Sequence, residues 1–206
     1  QEAAPASNAK LAWTVAGVML VVVMVVLGYP VLSGGPGGGV PGGQGGAPPG
    51  MGGAAGSAGA VDLTTMSLEQ QGTVLFNRVM TSNSAGDTAD VTFFLPKALV
   101  IYEQLAPADP DGIYHYALLH LTGLDFEAAR SKALEGLEGT PDYLLLLAVA
   151  AEASVGLGEP DVAREYYTHF LEVYDTEMGL LRPGYEHHQN IFPVYRQEAE
   201  AFLGQG

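Results

Sequence analysis

Cysteine is missing from this 206-residue sequence altogether. That excludes disulfides, iron–sulfur clusters, thiolate zinc sites and covalent c-type haem attachment. Basic residues are scarce: 8 Lys and Arg stand against 23 Asp and Glu, a formal net charge of −15. Such a balance argues against a nucleic-acid partner, because that binding needs a basic surface to displace counterions. Sustained period-two alternation is lacking as well, which removes the signature of half-buried strands. Charge is also absent locally. None falls between Leu11 and Leu32, and apart from Glu2 and Lys10 every charged residue lies beyond residue 60.

What remains divides into four parts: a tail over 1–10, an apolar run over 11–32, a Gly/Pro-rich stretch over 33–60, and a patterned region over 61–206. The 22-residue run contains twelve Val and Leu, and about 20 apolar residues suffice to cross ~30 Å of hydrocarbon. Trp13 and Tyr29 stand near its ends, where interfacial aromatics anchor a span. A signal peptide shares the basic start and apolar run, but its apolar core is usually only ~7–15 residues, so a retained transmembrane helix is expected. Lys10 precedes the span and no further basic residue appears until Arg78. The positive-inside rule then places the N-terminus in the cytoplasm and the large domain in the periplasm of a bacterial inner membrane. Gln1 is an unusual first residue, so residues upstream of it are expected. Residues 33–60 hold 14 Gly and 4 Pro in 28 positions; such a segment cannot bury enough apolar area to offset its ordering entropy and reads as a tether.

Beyond residue 60 apolar positions recur three and four apart, the helical spacing. An internal repeat is visible. Glu127-Ala128-Ala129-Arg130 recurs as Asp161-Val162-Ala163-Arg164 after 34 residues, and Gly123 before the first copy answers Gly158 before the second. Ala117, Ala129, Ala133 and Gly136 supply small packing positions in one unit, and Ala151, Ala163, Tyr167 and Phe170 fill those of the next. An earlier, divergent copy carries Leu75-Phe76, a Gly86-Asp87 turn, Phe93, Ala98, Tyr102 and Pro110.

Over roughly residues 67–175 these features resemble the tetratricopeptide (TPR) repeat family, although Ile113 and Leu147 stand where the family carries a large aromatic. The resemblance implies an all-α fold: a right-handed stack of about three antiparallel helix pairs with a C-terminal capping helix, beyond the span and tether. Tyr185, His188, Phe192, Tyr195, Ala199 and Phe202 form the apolar stripe expected of the cap, with Glu198 and Glu200 facing solvent. Pro193 should kink that helix or begin its second half. The family's pattern further implies a concave groove for a protein ligand, lined by Asp111, Tyr114, Leu118, Leu121, Leu145, Ala148 and Glu152.

Chemistry-bearing residues show little convergence in the sequence. His187 and His188 are adjacent and diverge on a helix, while His115 and His120 are five apart, not the three or four that align side chains. Glu135 and Glu138 read as solvated surface acids. The glycine tract has neither the preceding strand nor the lysine of a phosphate loop. No catalytic residue, metal ligand, cofactor or small-molecule substrate is therefore expected. The expectation is a non-catalytic accessory or scaffold subunit of a bacterial membrane complex, with other protein subunits and the bilayer as partners. An energy-transducing assembly, photosynthetic (a reaction centre with its antenna) or respiratory, is the favoured kind, and a transient TPR adaptor or assembly factor is the alternative.

Overall fold

The computed structural model describes residues 63–204. The expected tail, span and tether, with Trp13 and Tyr29, lie outside the described residues. Among the described residues no helix is long and apolar enough to cross a membrane. The described part is all-α, with eight helices after a 3-10 turn at Leu63–Thr65. Six form three consecutive hairpins: α1 (Leu68–Ser84) with α2 (Thr88–Leu105), α3 (Pro110–Thr122) with α4 (Phe126–Gly139), and α5 (Leu144–Gly156) with α6 (Pro160–Gly179). A single turn, α7 (Pro183–Glu186), and a last helix, α8 (Phe192–Leu203), follow.

The three hairpin turns are built alike. In each, the second turn residue takes a left-handed φ: Gly86 at +71°, Leu124 at +60° and Gly158 at +76°. Each also carries the paired backbone bonds that close a helix C-terminus, such as Asp125 N–H to His120 O and Leu124 N–H to Leu121 O, matched by Glu159 to Ser154 and Gly158 to Val155. Asp87 and Asp125 then cap the next helix, accepting from Asp90 and Ala128 N–H. The sequence comparison needs shifting by one residue here. Leu124, not Gly123, is the equivalent of Gly158, and it holds a conformation that glycine adopts without strain.

Packing follows the small residues. Ala117, Ala129, Ala133, Ala151 and Ala163 are fully buried at 0% exposure, letting helices approach closely in a close-packed interior. At Gly136 a Cβ would press on buried Leu146 and come within 3.1 Å of Ile113, so a larger residue at that crossing would have to displace core side chains. The main core runs through α3–α8, and a smaller one joins α1, α2 and Leu119 of α3. Tyr102 and Ala98 enter the smaller core, while Phe93 turns outward at 60% exposure. Pro96 lies within α2, where it removes one helical hydrogen bond.

The expected cap is not one continuous helix. Its stripe is divided between α7, a turn through His188, and α8, which begins at Phe192 with Pro193 in the first turn. Tyr185, Phe192, Tyr195 and Ala199 are buried as expected. Glu200 is exposed, but Glu198 is only 9% exposed, contrary to the expectation that both face water. The reason is that α8 packs along α6, and its Glu198 side turns inward to the Tyr167 hydroxyl and toward buried Glu152.

Candidate functional site

Chemically active side chains converge where the C-terminal segment lies across the start of α3. Asp109 caps α3 by accepting from Gly112 N–H, and Pro110 favours the first helical position. Asp111 therefore falls in the first turn, with His115 four residues on and on the same face. From the other side comes His188, in the turn after α7, its N–H donating to Tyr185 O. Its Nε2 lies 3.2 Å from His115 Nε2 and 3.1 Å from Asp111 Oδ1. One ligand-type atom from each of the three residues lies within 4.8 Å of the others.

Surrounding rings fix this cluster. His115 packs on Phe76 with ring centroids 4.3 Å apart, and His188 meets Tyr114 edge-on at 5.2 Å. Gly184 lets α7 press against α3: a Cβ there would lie 3.1 Å from Asp111 Cβ and collide with Tyr143 Oη. Burial pushes the His115 imidazole down to about 4, which keeps it neutral at pH 7. Burial works to raise the Asp111 carboxyl, but its contact with His188, aided by the other nearby histidines, holds it below the usual value. Asp111 Oδ1 is itself buried with no aligned hydrogen-bond donor.

Two further polar groups lie in the same interface. Glu177, 3% exposed, takes a two-pronged pair from Arg182 at 2.6 and 2.9 Å and a 3.0 Å bond from Tyr185 Oη. Tyr185 Oη in turn accepts from Leu144 N–H at 2.9 Å, so a tyrosine from α7 caps α5, which has no side-chain cap of its own. Deeper in, Glu152 of α5 and Glu198 of α8 are both buried. Tyr167 donates to Glu198 at 2.6 Å, and the Tyr114 and Tyr195 hydroxyls meet at 3.3 Å. Burial raises the Glu198 carboxyl to about 7 despite the Tyr167 bond. Burial, with the charge of Glu198, raises Glu152 well above its ordinary value. One oxygen of each carboxyl has no partner, an arrangement that favours the neutral acids.

The seven residues expected to line a groove can now be placed. Asp111 and Leu118 are half-buried, whereas Tyr114, Leu121, Leu145, Ala148 and Glu152 are buried. The physical reason is occupancy by the chain itself: Asp111 meets His188, Tyr114 meets Tyr195 and His188, and Glu152 feels Glu198. Five of the seven are thus covered within the described residues.

His120, His169 and His187 do not join the cluster; His120 lies 3.5 Å from Asp125, and His169 bonds Asp142 at 2.7 Å. Sequence reasoning compared histidines only with one another and so missed Asp111 and His115, whose four-residue spacing was the available signal. His188 carried no such signal, since its place depends on the fold of the C-terminal segment. Compared with known proteins, the sequence matches no family model and no curated protein.

Proposed function

We propose that this chain is a non-catalytic accessory or scaffold subunit of a bacterial membrane complex, held by the span at 11–32 and presenting a TPR-like stack on the periplasmic side. The observation that carries the reading is the repetition of one hairpin: two copies offset by 34 residues, from Pro110 to Leu144 and from Phe126 to Pro160, plus a longer third with the same turn. Stacked hairpins of this kind make extended surfaces rather than enclosed pockets. A membrane run and tether ahead of such a stack suit a subunit that adds contact area to an assembled complex and stabilises it by linkage. An outward-facing surface of α2 carries exposed Phe93, Pro96 and Val100, with the Lys97 ammonium 3.2 Å from the centre of the Phe93 ring, a mixed apolar and cationic face that suits a protein contact. An energy-transducing complex, photosynthetic or respiratory, is the assembly proposed. That choice rests on architecture alone.

A transient adaptor or assembly factor is the second reading, favoured by the same exposed face of α2. Detergent purification of the native membrane complex separates the two. Stoichiometric recovery with integral subunits supports the subunit reading, while substoichiometric, salt-sensitive recovery overturns it in favour of the adaptor.

A further inference from the structure

We propose that Asp111, His115 and His188 form a binding site for a divalent transition metal of the zinc class, which fastens the C-terminal segment to the start of α3. The inference does not depend on the scaffold reading. It starts from proton counting. With His115 and His188 Nε2 at 3.2 Å and His188 Nε2 and Asp111 Oδ1 at 3.1 Å, three electron-rich atoms face one another. A neutral imidazole carries one N–H. If His188 Nε2–H points at His115, Asp111 Oδ1 receives nothing, in keeping with its lack of an aligned donor. If it points at Asp111 instead, His115 Nε2 is left without it; if His188 Nε2 accepts, its lone pair faces the carboxylate, so one proton cannot serve both contacts. A cation at the centre satisfies all three lone pairs at once.

The spacing and the donor types fit that cation. Zinc–nitrogen and zinc–oxygen bonds of about 2.0–2.2 Å at tetrahedral angles place neighbouring ligand atoms about 3.3–3.5 Å apart. The two contacts to His188 are within a few tenths of an ångström of this, and the third pair, His115 to Asp111, lies within 4.8 Å. Two imidazoles and one carboxylate suit zinc, cobalt or nickel, whereas magnesium and calcium prefer oxygen alone. Two ligands project from one helical face and the third from a turn pressed on it through Gly184, so the metal bridges segments more than seventy residues apart. All three residues are half-buried.

The test uses the full chain in detergent, without a histidine tag and stripped with a chelator, titrated with Co²⁺ and separately with Zn²⁺. The expected result is one saturable Co²⁺ site with visible ligand-field absorption, displaced by Zn²⁺. The melting temperature should rise by about 5–10 °C at a hundredfold excess of metal over Kd. His188→Gln, on a surface turn, should weaken binding at least tenfold with an unchanged far-ultraviolet spectrum, as should Asp111→Asn; His187→Ala should leave it unchanged. Absence of a saturable micromolar site overturns the proposal. So does a site that survives both His188→Gln and Asp111→Asn, or one lost in His187→Ala.

Discussion

Replacing Glu198 with Gln should change stability in a way that depends on pH. In the folded chain Glu198 titrates at about 7, against an ordinary 4.5, because burial disfavours its charge. The shift is roughly 2.5 units, and at 1.36 kcal/mol per unit it is worth about 3 kcal/mol. A carboxyl raised on folding contributes stability that is fully present below the unfolded value and disappears as pH rises through the folded one. Around pH 8 the full ~3 kcal/mol is lost; at pH 5, where the unfolded chain is only partly ionised, the loss is about 1 kcal/mol. His115 acts in the opposite sense, since its depressed value makes folding more favourable as pH rises from about 4 to 6.5. A melting curve of the natural chain alone therefore mixes two opposing effects.

The difference between Glu198→Gln and the natural chain removes that ambiguity, because His115 is common to both. Relative to the natural chain, the variant should gain about 2 kcal/mol between pH 5 and pH 8, or about 4–8 °C in melting temperature for a domain of this size. Gln keeps an oxygen to accept from Tyr167, although burying its amide sets a pH-independent offset of about 1 kcal/mol. Removing the Glu198 charge also eases ionisation of Glu152, which adds to the gain at high pH. Thermal unfolding followed by circular dichroism at pH 5, 6, 7 and 8 is the assay. A difference that stays flat across this range would refute the burial argument.

Arg182→Leu strands the buried Glu177 carboxylate, and the partial exposure of Arg182 reduces the usual ~3–5 kcal/mol penalty for a broken buried pair. A loss of about 2–4 kcal/mol is expected in urea unfolding, and Arg182→Leu with Glu177→Met should recover most of it; equal loss in the double variant would contradict the pairing argument. Leu124→Gly should stabilise. An L-residue at left-handed φ costs roughly 1–2 kcal/mol, glycine gives back about 0.5–1 through the unfolded chain, and the exposed leucine side chain has little packing to lose. The melting temperature should rise by about 2–3 °C, and a fall would show that Leu124 has packing its exposure conceals.

The hairpin repeat was legible because its determinants are local. A capping Asp after a turn residue acts within one hairpin, and small residues such as Gly136, packed on Ile113 and Leu146, join hairpins that are neighbours in sequence. Leu124 marks where local chemistry misled. Turn position is set by the bonds that Asp125 and Leu124 N–H donate to the His120 and Leu121 carbonyls, not by where the glycine happens to stand, so Gly123 does not match Gly158. The buried acids were missed for a different reason. Glu198 lies beside Ala199 on α8, and periodicity alone gives the stripe facing α6; it does not reveal that Tyr167 draws the adjoining flank inward. The same non-local packing explains the groove. Asp111, Tyr114 and Glu152 sit where a first-helix surface should be, but the C-terminal segment covers them, and no pattern within α3 or α5 encodes that segment's path. What does encode it is spread over distant residues: Gly184, which admits close contact; Tyr185, which caps α5; and Glu177, which orients Tyr185 through a buried charge. Each is ambiguous alone, and together they bring His188 onto His115 and Asp111. The chemistry of that meeting point is thus a property of how the C-terminal segment docks, and substitutions that loosen the docking, such as Arg182→Leu, should disturb it without touching any of its three residues.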